Sequence, residues 1–582
     1  MSHRRYSRRL GWIGGVAMAF VGMIGMIEKF NERLLIAPFL TLGYSVLFGI
    51  PLLVGWLAAR GEPNPLEDPI RDPRRGAVTG LVTGFIAGLI ACVPVILADS
   101  LKLTRFLLNM RPQLVDAMTF DLGVPVGIIA LVATSAVVGA LGGFLFGLPE
   151  TVRRGISTAA MWVFSITLFE AVVNDVFDFM GRGLNVVYTP FDALQPWAAL
   201  IIGGLVYWLS TKNRGRVKEF TEKVKEADPR SRLRLSLIGL GALMVIVLPM
   251  LLGLIINELL VNVTLFILMG LGLNIVVGLA GLLDLGYVAF FAVGAYGTAV
   301  LTSPLSNAFT PTLNWWVALA VVMVLATMAG LLVGTPVIRM RGDYLAIVTL
   351  GFGEIVRILL LSDWLTPYFG GAQGIRRIPG VSVPLLGDVG GTRPQVFIYI
   401  MMAFVALAVW ISHRAQNSRI GRSWAAMRED EDVAEAIGIG TVKAKLLAFI
   451  TGAIIAAFAG ALFSAKVGTV FTNSFDVLVS IIILVVVIVG GMGSIRGVIV
   501  GAIVLIGVLG GPKLPGLLVE FTEYKLLIYG AILIFMMLKR PEGLIPSVRR
   551  SRELHQDESQ QDDWMGKAGR FGEEPQPATV EA

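Results

Sequence analysis

Long apolar stretches run through most of the chain and are separated by short polar segments. A helix needs about 20 apolar residues to cross the hydrocarbon core of a bilayer, and many stretches reach or approach that length. The pattern therefore predicts an all-α fold, a polytopic transmembrane helical bundle with about 16 spans. Nine of these contain no charged residue: Leu34–Ala59, Gly76–Ala98, Leu122–Leu148, Leu235–Ile256, Leu259–Leu283, Leu285–Ser303, Asn314–Ile338, Gln395–Ser412 and Leu446–Ala465. Seven more are shorter or carry charge: Leu10–Ile27, Ile156–Val173, Gln195–Thr211, Tyr344–Leu365, Asp476–Gly491, Ser494–Gly511 and Tyr524–Leu538.

Lysine and arginine are concentrated in every second loop between the predicted spans. The basic N-terminus, the loop Lys212–Arg234 and the segment Arg414–Lys445 fall on one side. Cytoplasmic loops of membrane proteins carry such an excess, so we expect both termini in the cytoplasm. The loops Asp99–Asp121 and Thr366–Pro394 also carry basic residues, on the opposite side, and fit the rule less well.

The distribution of charge also divides the chain into domains. Residues 212–234 hold nine Lys and Arg and form a basic cytoplasmic linker. Before it, residues 1–211 form an N-terminal transmembrane extension of about six spans, and after it residues 235–546 form a second membrane domain of about ten. Residues 547–582 are polar, and we expect this cytoplasmic tail to be disordered.

Two predicted spans of the extension carry glycine at every fourth position. This spacing aligns the glycines on one face of each helix, where bare backbone permits close approach of a second helix. We expect the two spans to pack tightly, each against the other. The two sets are Gly80, Gly84 and Gly88, and Gly139, Gly143 and Gly147.

Composition excludes several classes of chemistry. Hydrophobic residues make up 55% and charged residues 15%, against roughly 25% charged in soluble domains. The single cysteine, Cys92, excludes an intrachain disulfide and a cysteine-based zinc site, and three scattered histidines do not suggest a metal cluster. The only Gly-Lys pair, Gly566-Lys567, fails the phosphate-binding pattern. We therefore expect no enzyme, no metal and no cofactor bound by this chain, and a transport role remains.

Charged residues inside membrane spans are costly and so mark candidate sites. Asp284 lies between two apolar spans in Gly-Leu-Ala-Gly-Leu-Leu-Asp-Leu-Gly-Tyr, which runs from Gly278 to Tyr287. One interpretation is a broken helix that lines a translocation pathway, with Asp284 and Tyr287 in it. The other is a cytoplasmic turn in which Asp284 is a helix N-cap.

Three further polar residues are candidates for the same pathway. Glu354 and Arg357 are three residues apart, so they share a helix face and can pair with each other. Either they form a neutralised structural pair, or they line a polar channel between helices. Asn274 is a similar candidate.

The loop 413–445 is long for a membrane turn. Strong helix formers run from Ser423 to Ile437, and Gly438 suits a helix C-cap. An exposed helix that is apolar on part of its surface and charged elsewhere is suited to dock in a groove of a partner protein.

This loop resembles the ATPase-contacting loop of ABC importer membrane subunits, whose hallmark is Glu-Ala-Ala followed by Gly. Here the match is Glu435-Ala436-Ile437-Gly438. More narrowly, residues 235–546 resemble the permeases of branched-chain amino acid ABC importers, of the LivM type. The strings that carry this resemblance are Gly272–Tyr296, Arg341–Glu354, Val489–Ser494 and Arg540–Pro546.

The resemblance implies a division of labour among subunits. Two related permeases, this chain and a LivH-like one, would form the pathway in a bacterial inner membrane. Two cytoplasmic ATPases would use ATP and Mg, and a periplasmic binding protein would deliver the amino acid. Independently of the resemblance, we expect the basic linker to contact anionic membrane lipid, and in so apolar a chain the positive charge does not indicate nucleic acid as a partner. The residues expected to couple to the ATPase are Arg422, Trp424, Arg428, Glu435, Ala436 and Gly438.

The resemblance leaves the substrate open. One methylene is worth about 1–3 kcal/mol of discrimination, so leucine, isoleucine and valine are hard to separate. Related permeases carry urea or short amides, which is the first alternative. An ion-coupled secondary transporter would tend to show inverted repeats and several intramembrane acids, and a scaffold without transport is a third possibility. The family's usual subunit is shorter, so the extension inherits no function.

Overall fold

A computed structural model gives the architecture of the chain. It describes residues 3–547 except 39, 62–71, 101–111, 171–172, 175–186, 190–192, 213–246, 306–308, 338–339, 341, 385–386 and 512–522. The predicted linker, apart from Lys212, and the predicted tail, apart from Ser547, lie outside the described residues. Contacts between Cα atoms divide the chain into two compact units, Met1–Val245 and Ile246–Ala582.

Both units are built from helices, as the pattern predicts. Within the described residues, nine helices are long and apolar enough to cross a membrane. Helices Val288–Thr302 and Ile495–Leu509 are apolar but shorter. The count of 16 spans stays a prediction. The nine helices are Leu42–Arg60, Pro73–Ser100, Val124–Gly147, Leu254–Leu279, Trp315–Pro336, Asp343–Leu361, Pro394–Gln416, Thr441–Val467 and Thr472–Gly490.

Where the structure describes it, the first unit contains eight helices, three of them among these nine, and one short antiparallel ribbon. The ribbon pairs β1 (Leu34–Ile36) with β2 (Leu40–Thr41). The helices are α1 (His3–Met23), α2 (Met26–Asn31), α3 (Leu42–Arg60), α4 (Pro73–Ser100), α5 (Pro112–Thr119), α6 (Val124–Gly147), α7 (Glu150–Leu168) and α8 (Pro196–Lys212).

The predicted glycine contact between α4 and α6 is confirmed. A Cβ atom built on Gly80 would lie 2.1 Å from the carbonyl oxygen of Gly139, and one on Gly143 would lie 2.0 Å from that of Gly76. Helix α3 joins the same crossing, since a Cβ on Gly55 would lie 2.1 Å from the Gly139 oxygen. Three helix backbones therefore meet at a distance that only glycine permits.

The second unit holds the remaining helices around one buried span. They are α9 (Leu254–Leu273), α10 (Val288–Thr302), α11 (Trp315–Val337), α12 (Asp343–Leu361), α13 (Thr366–Phe369), α14 (Pro394–Gln416), α15 (Arg419–Glu429), α16 (Glu431–Ala436), α17 (Thr441–Val467), α18 (Val477–Gly490), α19 (Ile495–Leu509) and α20 (Lys525–Lys539). Helix α9 packs against α14, α17, α18 and α19. Its buried residues surround it on all sides, so it forms the centre of the core.

The two ends of the second unit differ. One end carries short antiparallel pairs, β3 (Ile375–Arg376) with β6 (Thr469–Val470) and β4 (Val381–Val383) with β5 (Gly387–Val389). The other end, where α17 begins, holds α15, α16 and the turn between α18 and α19. The candidate site lies at that second end.

We predict that Gly80→Ala destabilises the first unit by about 1–3 kcal/mol, because the added methyl group must push two helix backbones apart. Gly49→Ala is the matched control, since a Cβ there meets no atom within 4 Å. Thermal unfolding of the purified protein in detergent measures both changes. Equal unfolding temperatures for the two variants would contradict a sterically limited crossing.

Candidate functional site

The central span of the second unit is interrupted. Helix α9 passes into a π-helical turn, Asn274–Leu279, and the chain then runs without helix until α10 begins at Val288. Gly281 adopts a left-handed backbone, φ +73°, which favours glycine. The helix is therefore broken in this segment, as the first of the two interpretations expects, and the pathway part of that interpretation stays a prediction.

Asn274 bridges the π-helical turn to a distant loop. Its buried side-chain oxygen accepts a 2.8 Å hydrogen bond from the backbone N–H of Gly493. Gly278 has to lack a side chain here, because a Cβ atom would lie 2.2 Å from that same oxygen. Gly491 and Gly493 have positive φ values, and Ser494 caps α19 by accepting from the N–H of Gly497. The glycine-rich loop thus presents a backbone donor to the interrupted span.

Asp284 lies in the non-helical segment and is 1% exposed. Its Oδ1 accepts a 2.9 Å hydrogen bond from the N–H of Gly286, and its Oδ2 has no hydrogen-bond partner among the described residues. The N-cap interpretation is wrong, since Tyr287 occupies that position of α10. The segment between the two helices lies inside the bundle instead, and the Asp284 carboxyl group is buried with it.

Side chains from other helices hold the rest of this segment. The Tyr287 hydroxyl donates to the carbonyl oxygen of Gly452 at 3.1 Å. The N–H of Leu285 donates to the hydroxyl oxygen of Thr349 at 3.1 Å, and that of Val288 to Ser480 at 3.0 Å. The interruption is therefore attached to α12, α17 and α18 at once.

Glu354 and Arg357 pair on α12, as their spacing predicts. The guanidinium Nε lies 2.9 Å from Glu354 Oε1 and 3.0 Å from Oε2. Both side chains remain partly exposed on a helix whose other exposed residues in this stretch, Ile347, Ile355 and Ile358, are apolar. Whether the pair lines a pathway remains a prediction.

The predicted docking helix is two helices in the structure. Asp430 interrupts it with an extended backbone, and its side chain accepts from the N–H groups of Asp432 and Val433. An aspartate with this capping preference starts a new helix rather than continuing the old one. The single helix expected from Ser423 to Ile437 is therefore wrong, and α15 and α16 replace it.

Helix α15 is anchored to the membrane domain. Trp424 is 1% exposed, and its Nε1–H donates to the Ala444 carbonyl oxygen at 2.8 Å. The Arg428 Nη1 donates to the Gly278 carbonyl oxygen at 2.6 Å. Arg422, predicted with them, is exposed. Two of the predicted coupling residues therefore face the bundle, and one faces outward.

Helix α16 presents an exposed surface. Val433 is 57% and Ile437 69% exposed, and Glu435 and Ala436 are exposed beside them. Gly438, at φ +88°, ends the helix as predicted. Its N–H bonds to the Glu435 oxygen, and the next N–H bonds to the Ala434 oxygen, which is the Schellman arrangement.

An ion pair fixes the start of this exposed helix. The buried Lys445 Nζ lies 2.6 Å from Glu431 Oε1. Because α16 is only six residues long, this tie and the Asp430 cap define its orientation.

A cavity of about 760 Å³ opens beside α15. Its wall includes Gly278, Arg422, Arg428, Gly493 and Arg496, so the π-helical turn and the glycine-rich loop both border it. In the described parts of the chain, no three His, Cys, Asp or Glu side chains lie close enough to hold a metal ion.

Sequence reasoning missed several partners at this site. Thr349 and Gly493 lie inside strings that carry the family resemblance, but nothing in their spacing indicated that they contact the interrupted span. Gly493 is 219 positions from Asn274. Ser480 gave no signal, since a single serine in an apolar helix is common.

The second unit is similar to known transport proteins. The family described as branched-chain amino acid transport system / permease component matches residues 255–537. The permease protein LivM of the high-affinity branched-chain amino acid transport system in Escherichia coli (strain K12) is 38% identical over 309 residues, which cover 50% of this chain and 69% of that protein.

Two more distant relatives extend this similarity. A probable branched-chain amino acid transport permease LivM of Methanocaldococcus jannaschii is 28% identical over 300 residues, with 48% of this chain and 84% of the relative covered. The LivH permease of Escherichia coli (strain K12) is 26% identical over 168 residues, with 29% and 52% covered. No solved structure is significantly similar to the chain.

We predict that Trp424→Ala loosens α15 from the bundle. Removing a buried tryptophan costs about 3–5 kcal/mol, so tryptic cleavage after Arg422 and Arg428 should become at least about tenfold faster. Trp410→Ala is the control, because Trp410 is exposed on a neighbouring helix. If both variants are cut as slowly as the parent, Trp424 is not the anchor of α15.

Proposed function

This chain belongs to the LivM family of branched-chain amino acid transport permeases, and we propose that it forms one membrane half of an ATP-driven importer. It is a transport permease and a multi-pass protein of the inner membrane. The proposed cargo is leucine, isoleucine and valine, or related apolar amino acids. The energy would come from ATP and Mg used by separate subunits.

The exposed surface of α16 is the observation that carries this proposal. Val433 and Ile437 are large apolar side chains that lie outside any packed core, and acidic Glu435 stands between them. An apolar patch with a polar rim is typical of a protein contact. We assign this surface, with Arg422, to the groove of an ATPase subunit.

The proposed assembly has four kinds of subunit. Besides this chain it contains a LivH-like permease, two ATP-binding cassette subunits and a periplasmic substrate-binding protein. Similarity to both LivM and LivH proteins supports the pairing of two related permeases. Two halves with complementary faces would enclose a pathway that neither forms alone.

The end that carries α15 and α16 would face the cytoplasm, with both termini on that side. Arg414, Arg419, Arg422, Arg496 and Arg540 all lie at helix ends or turns there. This excess of arginine is what the positive-inside rule requires.

The translocation pathway would use the polar groups of the second unit. A charged pair within a span cannot face hydrocarbon cheaply. The partly exposed Glu354 and Arg357 would therefore face the pathway or the second permease. Asn274, Asp284 and Tyr287 would act at the interrupted span, where irregular backbone is tolerated because it lines a cavity or is buried in protein.

Two alternatives concern the cargo and the energy source. Urea or short amides would need a smaller polar site than an aliphatic side chain does. Ion-coupled transport would require several intramembrane acids, and within the described residues of the second unit only Asp284 and Glu354 are candidates for the pathway. Uptake of labelled leucine by the complex, reconstituted with its ATPases and binding protein, separates these cases. Competition by isoleucine and valine but not by urea supports the proposal, and uptake that is driven by an ion gradient without ATP contradicts it.

We predict that Glu435→Lys lowers ATP-driven leucine uptake at least about tenfold, since a misplaced charge at an interface costs several kcal/mol. Membrane insertion should be unchanged, because the side chain is exposed. Asp388→Lys is the control, as it reverses an exposed acid at the opposite end of the unit. Normal uptake by Glu435→Lys would refute the docking role of α16.

A further inference from the structure

We propose that Arg428 is a positioning residue that ties the partner-facing helices α15 and α16 to the π-helical turn Asn274–Leu279, and that this tie passes their movement to the interrupted span. The inference rests on the proposed function for its energy source. It assigns Arg428 a contact inside the membrane domain rather than on the ATPase.

Arg428 can bond to this segment because carbonyl groups at the end of a helix need donors from elsewhere. The last carbonyl groups of a helix lose their intrahelical donors. Here the chain leaves the helix abnormally, since the N–H of Ala280 bonds back to Ile275 and that of Leu282 bonds back to Val276. The Gly278 carbonyl oxygen instead accepts from the Arg428 guanidinium at 2.6 Å. A hydrogen bond from a charged donor is roughly twice as strong as a neutral one.

Arg428 also packs against the next turn of the same segment. A Cβ atom on Gly281 would lie 2.7 Å from the Arg428 Cγ. The side chain therefore fixes the interrupted span at two places, one by a hydrogen bond and one by contact with bare backbone. A movement of α15 cannot leave this segment unchanged without breaking both.

A second set of hydrogen bonds joins the interrupted span to the glycine-rich loop beside the cavity. Gly493 donates to Asn274 through its N–H and accepts from the Gln416 side chain at 3.4 Å through its oxygen. Gly278, Arg428 and Gly493 together line the 760 Å³ cavity. The Arg428 tie and the Asn274 bridge therefore hold the interrupted span from two sides where it borders the cavity.

The nearby charges belong to elements that would move together. Glu429 lies next to Arg428 in α15, Glu431 begins α16, and Lys445 lies near the start of α17. The Glu431 to Lys445 pair joins α16 to α17, and Tyr287 joins α17 to the interrupted span. This longer route provides a second connection, so removal of Arg428 should weaken coupling without releasing α16.

A thiol placed at the turn tests the tie directly. Leu279 lines the cavity, and the single native thiol, Cys92, is buried in the first unit. In a Cys92→Ser, Leu279→Cys background, the assembled complex is treated with a membrane-impermeant maleimide, with and without a non-hydrolysable ATP analogue. We expect the analogue to change the modification rate. Arg428→Ala should reduce that change at least about fivefold, the lower limit of typical coupling between sites.

Matched variants distinguish a positioning role of Arg428 from a requirement of this residue for folding. Arg419→Ala removes an exposed arginine from the same helix and should retain the nucleotide response. Arg428→Lys keeps a charged donor group and should restore part of the nucleotide response. Arg428→Gln preserves most of the side-chain volume and replaces the alanine variant if that variant does not assemble. The ATPases should co-purify with every variant, and uptake per ATP hydrolysed should fall in Arg428→Ala.

Two results of the labelling experiment would overturn the inference. One is a full nucleotide response in Arg428→Ala, and the other is no response in the Leu279→Cys parent. Failure of the proposed function is seen separately, as absence of ATP-driven uptake in the unmodified complex. Loss of ATPase co-purification in Arg428→Ala would show that Arg428 serves docking instead of positioning.

Discussion

Backbone polar groups in a membrane must find partners inside the protein, because hydrocarbon offers none. Between Asn274 and Val288 the central span of the second unit loses regular helical hydrogen bonds, so its backbone groups need other partners. Side chains from three other helices replace them, Arg428 on one carbonyl and Thr349 and Ser480 on two N–H groups, and Asp284 bonds a further N–H group within the segment. The arrangement of the unit follows from this need, since each of these hydrogen-bond partners comes from a different helix.

The same requirement explains which parts of the molecule the sequence reveals. Apolar runs predict helices because a spanning helix satisfies its own backbone, and glycine at every fourth position predicts the crossing of α4 and α6. Gly438 predicts a helix end, since its left-handed backbone is a local property. Glu354 and Arg357 predict a pair because they are neighbours on one face. All of these depend on spacings of four residues or fewer.

Contacts between residues that are far apart in the sequence cannot be predicted from such local spacings. The bond between Asn274 and Gly493 joins residues from opposite parts of the second unit, and no local pattern identifies it. The inward orientation of Trp424 and Arg428 was also missed, because an exposed loop was assumed to direct its aromatic and basic residues toward a partner. Asp430 is a local signal, since an aspartate N-cap followed by acidic residues in the first turn is a typical helix start. The prediction of one helix ignored that signal in favour of average helix propensity.

The crossing of α3, α4 and α6 has a consequence for how the first unit holds together. Glycine Cα groups there lie against carbonyl oxygens of the facing helix, which is the geometry of Cα–H···O bonds, each worth about 0.5–1 kcal/mol. Cohesion of this kind comes from dipoles at short range and does not depend on expelling solvent. Its strength should therefore vary little with the thickness or chain composition of the surrounding lipid, while the lipid-facing surface remains free to diverge.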